Sequence, residues 1–210
     1  MASAVCGVLL SRIMPVVDEP WASLVTLAPM WVGLAVPVLL LFFIAPPARL
    51  VRFRATDVVW GLGLGLALRI AQGVIERSQV QPFPTVQTVG GPFSARWWIE
   101  QALVAGTIGP IVEEFFFRGV ILVVVYRLLR RAVAPWAASA TAVLISMGTF
   151  VLIHQAFAFL SVAAAVQILL VGAVCGVMVL ATGRIWGAVL THLVYNVTFL
   201  LLTVLGSYAG

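Results

Sequence analysis

The residues of this sequence that are best suited to chemistry are two adjacent glutamates, Glu113 and Glu114, which lie in an apolar run and are followed by Arg118. Neighbouring positions on a helix point about 100° apart, so the two carboxylates cannot serve the same role. Glu114 and Arg118 are four residues apart, in the acid-before-base order that favours an ion pair on one helix face. This spacing predicts a structural Glu114–Arg118 pair and leaves Glu113 as a candidate general base.

Both histidines of the chain also fall within apolar stretches. His154 follows Phe150 by one helical turn, and His192 precedes Asn196 by one turn, so each pair shares a helix face. With Glu113, these side chains supply a base, a proton shuttle and hydrogen-bond donors for a developing oxyanion. In the competing interpretation, the same groups only form hydrogen bonds between membrane helices.

A metal site is the second chemical possibility. Glu113, His154 and His192 would form a His₂Glu set of the kind that binds zinc. Spacing does not decide between the two, because these residues come from different helices. The sequence has neither an HExxH helix nor a serine motif, and it contains no lysine for a Ser–Lys dyad.

Composition indicates that this chemistry takes place in a membrane. Of the 210 residues, 63% are hydrophobic and 9% are charged. Soluble domains are about 45–50% apolar and about one quarter charged. The net charge of +5 comes entirely from arginines, which flank the apolar runs and form no patch with interleaved aromatics. We therefore expect contacts with membrane lipids and no binding of nucleic acid.

About six apolar spans are long enough to cross a bilayer and must position the polar residues. We expect an all-α, multi-pass transmembrane helical bundle in the cell membrane, with an intramembrane polar site. Residues 1–96 would form the N-terminal membrane helices and an exposed loop over 77–96, and residues 97–210 the catalytic core of a single membrane domain. A bend is expected at Gly109-Pro110, and the glycine pairs Gly61/Gly65 and Gly172/Gly176 predict close helix packing. The spans are expected near residues 21–45, 57–76, 97–130, 135–154, 161–182 and 185–206.

Three motifs of the sequence resemble, in order and separation, those of the CPBP family. That family comprises the CAAX-prenyl-protease-like and bacteriocin-processing (Abi) intramembrane proteases, including the type II CAAX prenyl endopeptidase. The resemblance covers residues 109–199, about half of the chain. The motifs are Glu113-Glu114-x-x-x-Arg118, Phe150-x-x-x-His154 and His192-x-x-x-Asn196.

The resemblance implies an intramembrane endopeptidase that acts on a membrane-associated protein or peptide. The family residue that matches Glu113 activates the attacking water, assisted by the one that matches His154. Those that match His192 and Asn196 stabilise the oxyanion of the tetrahedral intermediate. The resemblance also implies supporting roles for two further residues, Glu114 and Arg118.

Family members have been described as metalloproteases, so zinc or another divalent metal is the alternative cofactor. We favour a metal-free mechanism, because Asn196 beside His192 suits an oxyanion hole better than a ligand shell. Two non-enzymatic alternatives stay open. One is a membrane immunity or scaffold protein, and the other is a proton-coupled transporter, for which the sequence shows no internal repeat.

Overall fold

The computed structural model describes residues 22–44, 47–76, 83–86 and 93–209, which form a bundle of helices without any strand in these ranges. The predicted all-α membrane bundle is therefore confirmed. Four helices, α2, α4, α5 and α6, are long and apolar enough to cross a membrane. The helical segments are α1 (Ala22–Ile44), α2 (Ala55–Ile75), α3 (residues 95–129), α4 (Pro135–Phe157), α5 (Val162–Thr182) and α6 (Trp186–Ala209).

Helix α3 alternates between two kinds of helical turn. It contains α-helical turns at Ala95–Trp97, Gly109–Glu114 and Val123–Leu129, separated by wider π-helical stretches at Trp98–Ile108 and Phe115–Leu122. The first junction lies at Gly109-Pro110, where the sequence predicts a bend. A proline has no N–H to donate and its ring crowds the preceding turn, so a wider turn before it relieves this conflict. The two glutamates lie in the short α-helical stretch between the two π-helical ones.

Close helix packing depends on the predicted glycines. Helix α2 lies against α6 so closely that a Cβ atom at Gly65 would be 2.8 Å from the Thr191 carbonyl oxygen. Helix α5 lies against α4 in the same manner, and a Cβ at Gly172 would be 2.9 Å from the Met147 Cβ. Larger side chains at these positions would separate the helices, so the glycines set the distances across the bundle.

The two ends of the bundle have different chemistry. At one end, Arg184 Nη2 lies 2.7 Å from Asp57 Oδ1, and the Trp186 indole donates to the Val51 carbonyl at 2.7 Å. At the other end, the rings of Phe93, Trp97 and Tyr208 form an aromatic cluster. Arginines and aromatic rings are both typical of residues at the membrane–water interface.

Only part of the predicted loop over 77–96 falls within the described residues. There, the Val86 N–H donates to the Ser207 hydroxyl at 2.9 Å, next to the end of α6. Residues 77–82 and 87–92 lie outside the described part, as does Cys6. The proposed division of the chain at residue 96 stays a prediction.

Candidate active site

Three helices bring the predicted site residues together. The α-helical turn Gly109–Glu114 of α3 carries both glutamates, the last turns of α4 carry His154, and the first half of α6 carries His192 and Asn196. Glu114 is fully buried, whereas the Glu113 side chain is 14% exposed. The two adjacent glutamates therefore occupy different environments.

Glu114 contacts a histidine as well as an arginine. The Nδ1 atom of His192 lies 2.9 Å from Glu114 Oε1, and both residues are buried. A carboxylate can only accept, so Nδ1 is the donor when Glu114 is ionised. The sequence predicted a partner for Glu114 on its own helix and missed this contact with α6.

Arg118 forms the predicted pair with Glu114, in an apolar environment. Its Nε lies 3.1 Å from Glu114 Oε2, and both side chains are fully buried. The contact is a close ion pair and not a well-aligned hydrogen bond, because neither of these two atoms has a hydrogen bond within the described residues. Arg118 Nη2 donates to the Gly172 carbonyl at 3.3 Å, and the guanidinium carbon lies 4.6 Å from the centre of the Phe150 ring. The arginine thus neutralises Glu114 without access to water.

His192 lies between the two glutamates. While Nδ1 contacts Glu114, the opposite ring nitrogen Nε2 is 4.0 Å from Glu113 Oε2. That distance is too long for a direct hydrogen bond. Contacts at catalytic sites are often long in the free enzyme and shorten when substrate binds. The arrangement gives His192 one fixed nitrogen and one nitrogen that faces the less buried carboxylate.

His154 is oriented by its own helix. Its Nδ1 donates to the Phe150 carbonyl at 2.8 Å, which leaves Nε2 as the acceptor of a neutral ring. The Phe150 ring centre is 4.5 Å from that of His154 and 5.7 Å from that of His192. The buried phenylalanine therefore separates the two histidines and fixes the position of both rings.

Asn196 completes the set on α6. It lies one turn after His192, is partly exposed, and forms no side-chain hydrogen bond to the described residues. Its amide N–H groups can therefore donate to a bound molecule.

The residues of the metal alternative were tested against the ligand geometry that an ion requires. Within the described residues, no three His, Cys, Asp or Glu side chains come close enough together to hold a metal ion. Glu113, His154 and His192 are thus near one another without forming a ligand set in this conformation. We derive no chemical step through a metal.

Two supporting residues were not predicted as parts of the site. The buried Ser146 hydroxyl donates to the Phe117 carbonyl at 2.9 Å, which ties α4 to the second π-helical stretch of α3. The carbonyl of Gly172, on α5, accepts from Arg118. The sequence signals were a serine within an apolar helix and a glycine of a small-residue pair, but neither signal identifies its partner.

The fold and the site define a membrane protein with a buried glutamate–histidine centre, and the comparisons with known proteins agree. Residues 95–198 match the model of a protein family described as Type II CAAX prenyl endopeptidase Rce1-like. The matched segment contains all six predicted site residues. The chain therefore belongs to the CPBP family of CAAX-protease-like intramembrane endopeptidases. No curated protein and no solved structure matches it.

Proposed function

We propose that this protein hydrolyses a peptide bond of a membrane-associated protein or peptide in the cell membrane, using a water molecule activated by Glu113 and no metal. The position of His192 between a buried and a partly exposed glutamate supports the proposal most strongly. Membrane lipids and the peptide substrate are the partners that we propose, and nucleic acid is not among them.

Glu113 would act as the general base. It is the less buried of the two carboxylates and has no arginine partner within the described residues. It would take a proton from water as the water oxygen attacks the carbonyl carbon of the scissile bond. The same proton would then pass to the leaving nitrogen as the C–N bond breaks, giving a carboxylate and an amine. His154 would assist through Nε2, since its Nδ1 is held by the Phe150 carbonyl.

His192 and Asn196 would stabilise the oxyanion of the tetrahedral intermediate. With Nδ1–H directed to Glu114, His192 can donate from Nε2 only when both ring nitrogens carry protons. In that state the charges of Glu113, Glu114, Arg118 and His192 sum to zero, which suits a site in a low-dielectric environment. Asn196 would supply a second donor from the next turn of α6.

Glu114 and Arg118 would be positioning residues. Glu114 holds the His192 ring in one orientation, and Arg118 keeps Glu114 ionised and therefore an acceptor. Their effect on the reaction would pass through His192 and not through contact with the substrate.

Zinc or another divalent ion is the alternative cofactor for the same activity. It would be held by Glu113 and by Nε2 of His154 and His192, and would supply a Lewis acid and an activated water. The metal-free proposal rests on Asn196, whose amide suits an oxyanion, and on the spread of the three candidate ligands.

A scaffold or immunity protein without catalytic activity is the second candidate function. The fully buried Glu114–Arg118 pair and its contact with His192 support it, because such a network can specify helix packing without any reaction. In this case Glu113 would be dispensable, whereas the peptidase requires it.

The deciding experiment is the cleavage of a panel of membrane-tethered reporter peptides by purified wild type, Glu113→Gln and Glu100→Gln, with and without chelator. Glu100 is a suitable control because its ion pair with Arg96 lies near the surface. Cleavage lost only in Glu113→Gln is the expected result. Loss in the chelated wild type as well would assign a metal-dependent site. Equal cleavage by all three proteins, or cleavage by none of them, would favour the scaffold.

A further inference from the structure

A second polar cluster lies on α2 and α6, outside the site described above. Its central residue is Arg69, which lies well inside the apolar span of α2. A charged side chain at such a depth is costly unless it is paired or serves a function. Within the described residues, no carboxylate lies within 4.0 Å of the Arg69 guanidinium. The nearest connection to an acid runs through Gln72, whose amide nitrogen donates to the exposed Glu76.

The Arg69 guanidinium contacts only neutral groups. Nε donates to the Thr198 hydroxyl at 3.4 Å, Nη1 donates to Gln72 Oε1, and Nη2 donates to the Tyr195 carbonyl. The guanidinium carbon also lies 4.0 Å from the centre of the Tyr195 ring. A guanidinium carries five N–H groups. With three of them used, two N–H groups and the positive charge have no matching partner among the described residues.

An acceptor in the same region also lacks a partner. The Tyr195 hydroxyl donates to Gln72 Oε1 at 2.5 Å. Gln167, buried on α5, donates from its amide nitrogen to the carbonyl of Leu68 at 2.8 Å, but its Oε1 has no hydrogen bond within the described residues. The single hydroxyl hydrogen of Tyr195 cannot serve both amide oxygens. Thus the cluster offers donors for an anion together with a free acceptor for an N–H group.

The position of the cluster relates it to the catalytic residues. Tyr195 lies between His192 and Asn196 in the sequence of α6, with its carbonyl bound to Arg69. Along an α-helix, three residues rise about 5 Å and six residues about 9 Å, so Arg69 contacts α6 at this axial offset from His192. An extended peptide covers the same distance with two to three residues, at about 3.3 Å each.

We propose that Arg69 binds the free C-terminal carboxylate of the peptide substrate, which would end two to three residues beyond the cleaved bond. This inference rests on the proposed peptidase function and adds which end of the substrate is recognised. A carboxylate supplies two acceptor oxygens in the geometry that a guanidinium fork matches, and it neutralises the unpaired charge. An N–H of the last residues of the peptide would donate to Gln167 Oε1.

The test compares two probes that differ only at the C-terminus. An N-acylated, fluorescently labelled hydrophobic pentapeptide is prepared as the free acid and as the amide, and its binding is measured to protein in phosphatidylcholine nanodiscs. Wild type should bind the acid at least about tenfold more tightly than the amide, the ratio expected for one charge-assisted pair. Arg69→Gln should bind both peptides about equally, whereas the exposed Arg131→Gln should keep the wild-type ratio.

Equal binding of acid and amide by wild type would overturn the inference, and this comparison needs no variant that might misfold. A preserved ratio in Arg69→Gln would overturn it as well. If wild type shows no preference but phosphatidylglycerol stabilises it in an Arg69-dependent manner, the anion is a lipid phosphate and the peptide assignment is wrong.

Cleavage of the two peptides, measured in parallel, separates this inference from the proposed function. Acid and amide cleaved with the same kcat/KM would overturn the carboxylate site and leave the peptidase intact. Preferential binding of the acid without any cleavage by wild type would support the carboxylate site and contradict the peptidase.

Discussion

His192 Nδ1 lies 2.9 Å from Glu114 Oε1, although Glu114 also forms a buried ion pair with Arg118. The glutamate that local spacing assigned to a structural pair is therefore also the one that orients the histidine of the site. Glu113, which has no such contacts, faces the other nitrogen of the same ring at 4.0 Å. Adjacent carboxylates thus divide two tasks, one positioning the histidine and the other remaining available for proton transfer.

Glu114→Gln should reduce both stability and activity. An uncharged amide cannot neutralise Arg118, and breaking a buried pair costs about 3–5 kcal/mol. Thermal unfolding in detergent, followed by circular dichroism, measures the first effect, and kcat on a cleaved reporter measures the second. Glu113→Gln is the matched control, for which we expect loss of activity with wild-type stability. Equal stability of the two variants would contradict the assigned division of tasks.

Arg118→Met should destabilise the protein far more than the same change at a remote arginine. The substitution leaves the buried Glu114 carboxylate without its counter-ion, again at a cost of about 3–5 kcal/mol. Arg130→Met is the control, because Arg130 is exposed. We would measure yield in membranes and the unfolding temperature of both variants. Indistinguishable values for the two would show that the buried pair contributes nothing.

Asn196→Ala should lower kcat by about 10²–10³, the usual effect of removing one oxyanion donor. Its unfolding temperature should stay close to that of wild type, because the Asn196 side chain forms no hydrogen bond within the described residues. The kcat and KM values should separate, with KM changed less than kcat. A variant with unchanged kcat would remove Asn196 from the catalytic set.

Gly65→Ala should loosen the contact between α2 and α6. The added Cβ would lie 2.8 Å from the Thr191 carbonyl oxygen, and overpacking of this kind costs about 1–3 kcal/mol. Gly63→Ala, two residues away on the same helix, has no atom within 4 Å of the added Cβ. It should be neutral or slightly stabilising, since alanine is the better helix former. Unfolding midpoints of the two variants compare them directly, and the reverse order would argue against this packing.

Much of the architecture was predictable from the sequence because it depends on local properties. Hydropathy locates apolar spans in any chain, and the observed α2, α4, α5 and α6 follow the predicted ranges within a few residues. The Glu114–Arg118 pair follows from a separation of four residues on one helix. The Gly65 and Gly172 contacts follow from side-chain size, although their partners, Thr191 and Met147, do not.

The tertiary structure alone decided which distant groups meet. Glu114 and His192 are 78 residues apart, and no helical period relates positions on α3 and α6. The placement of Phe150 between two histidines, and the binding of Arg69 to the Tyr195 carbonyl, depend in the same way on how the helices cross. Periodicity fixes which face of a helix a residue occupies. Packing between helices fixes which other face it meets, and only that second step turns separate polar residues into a site.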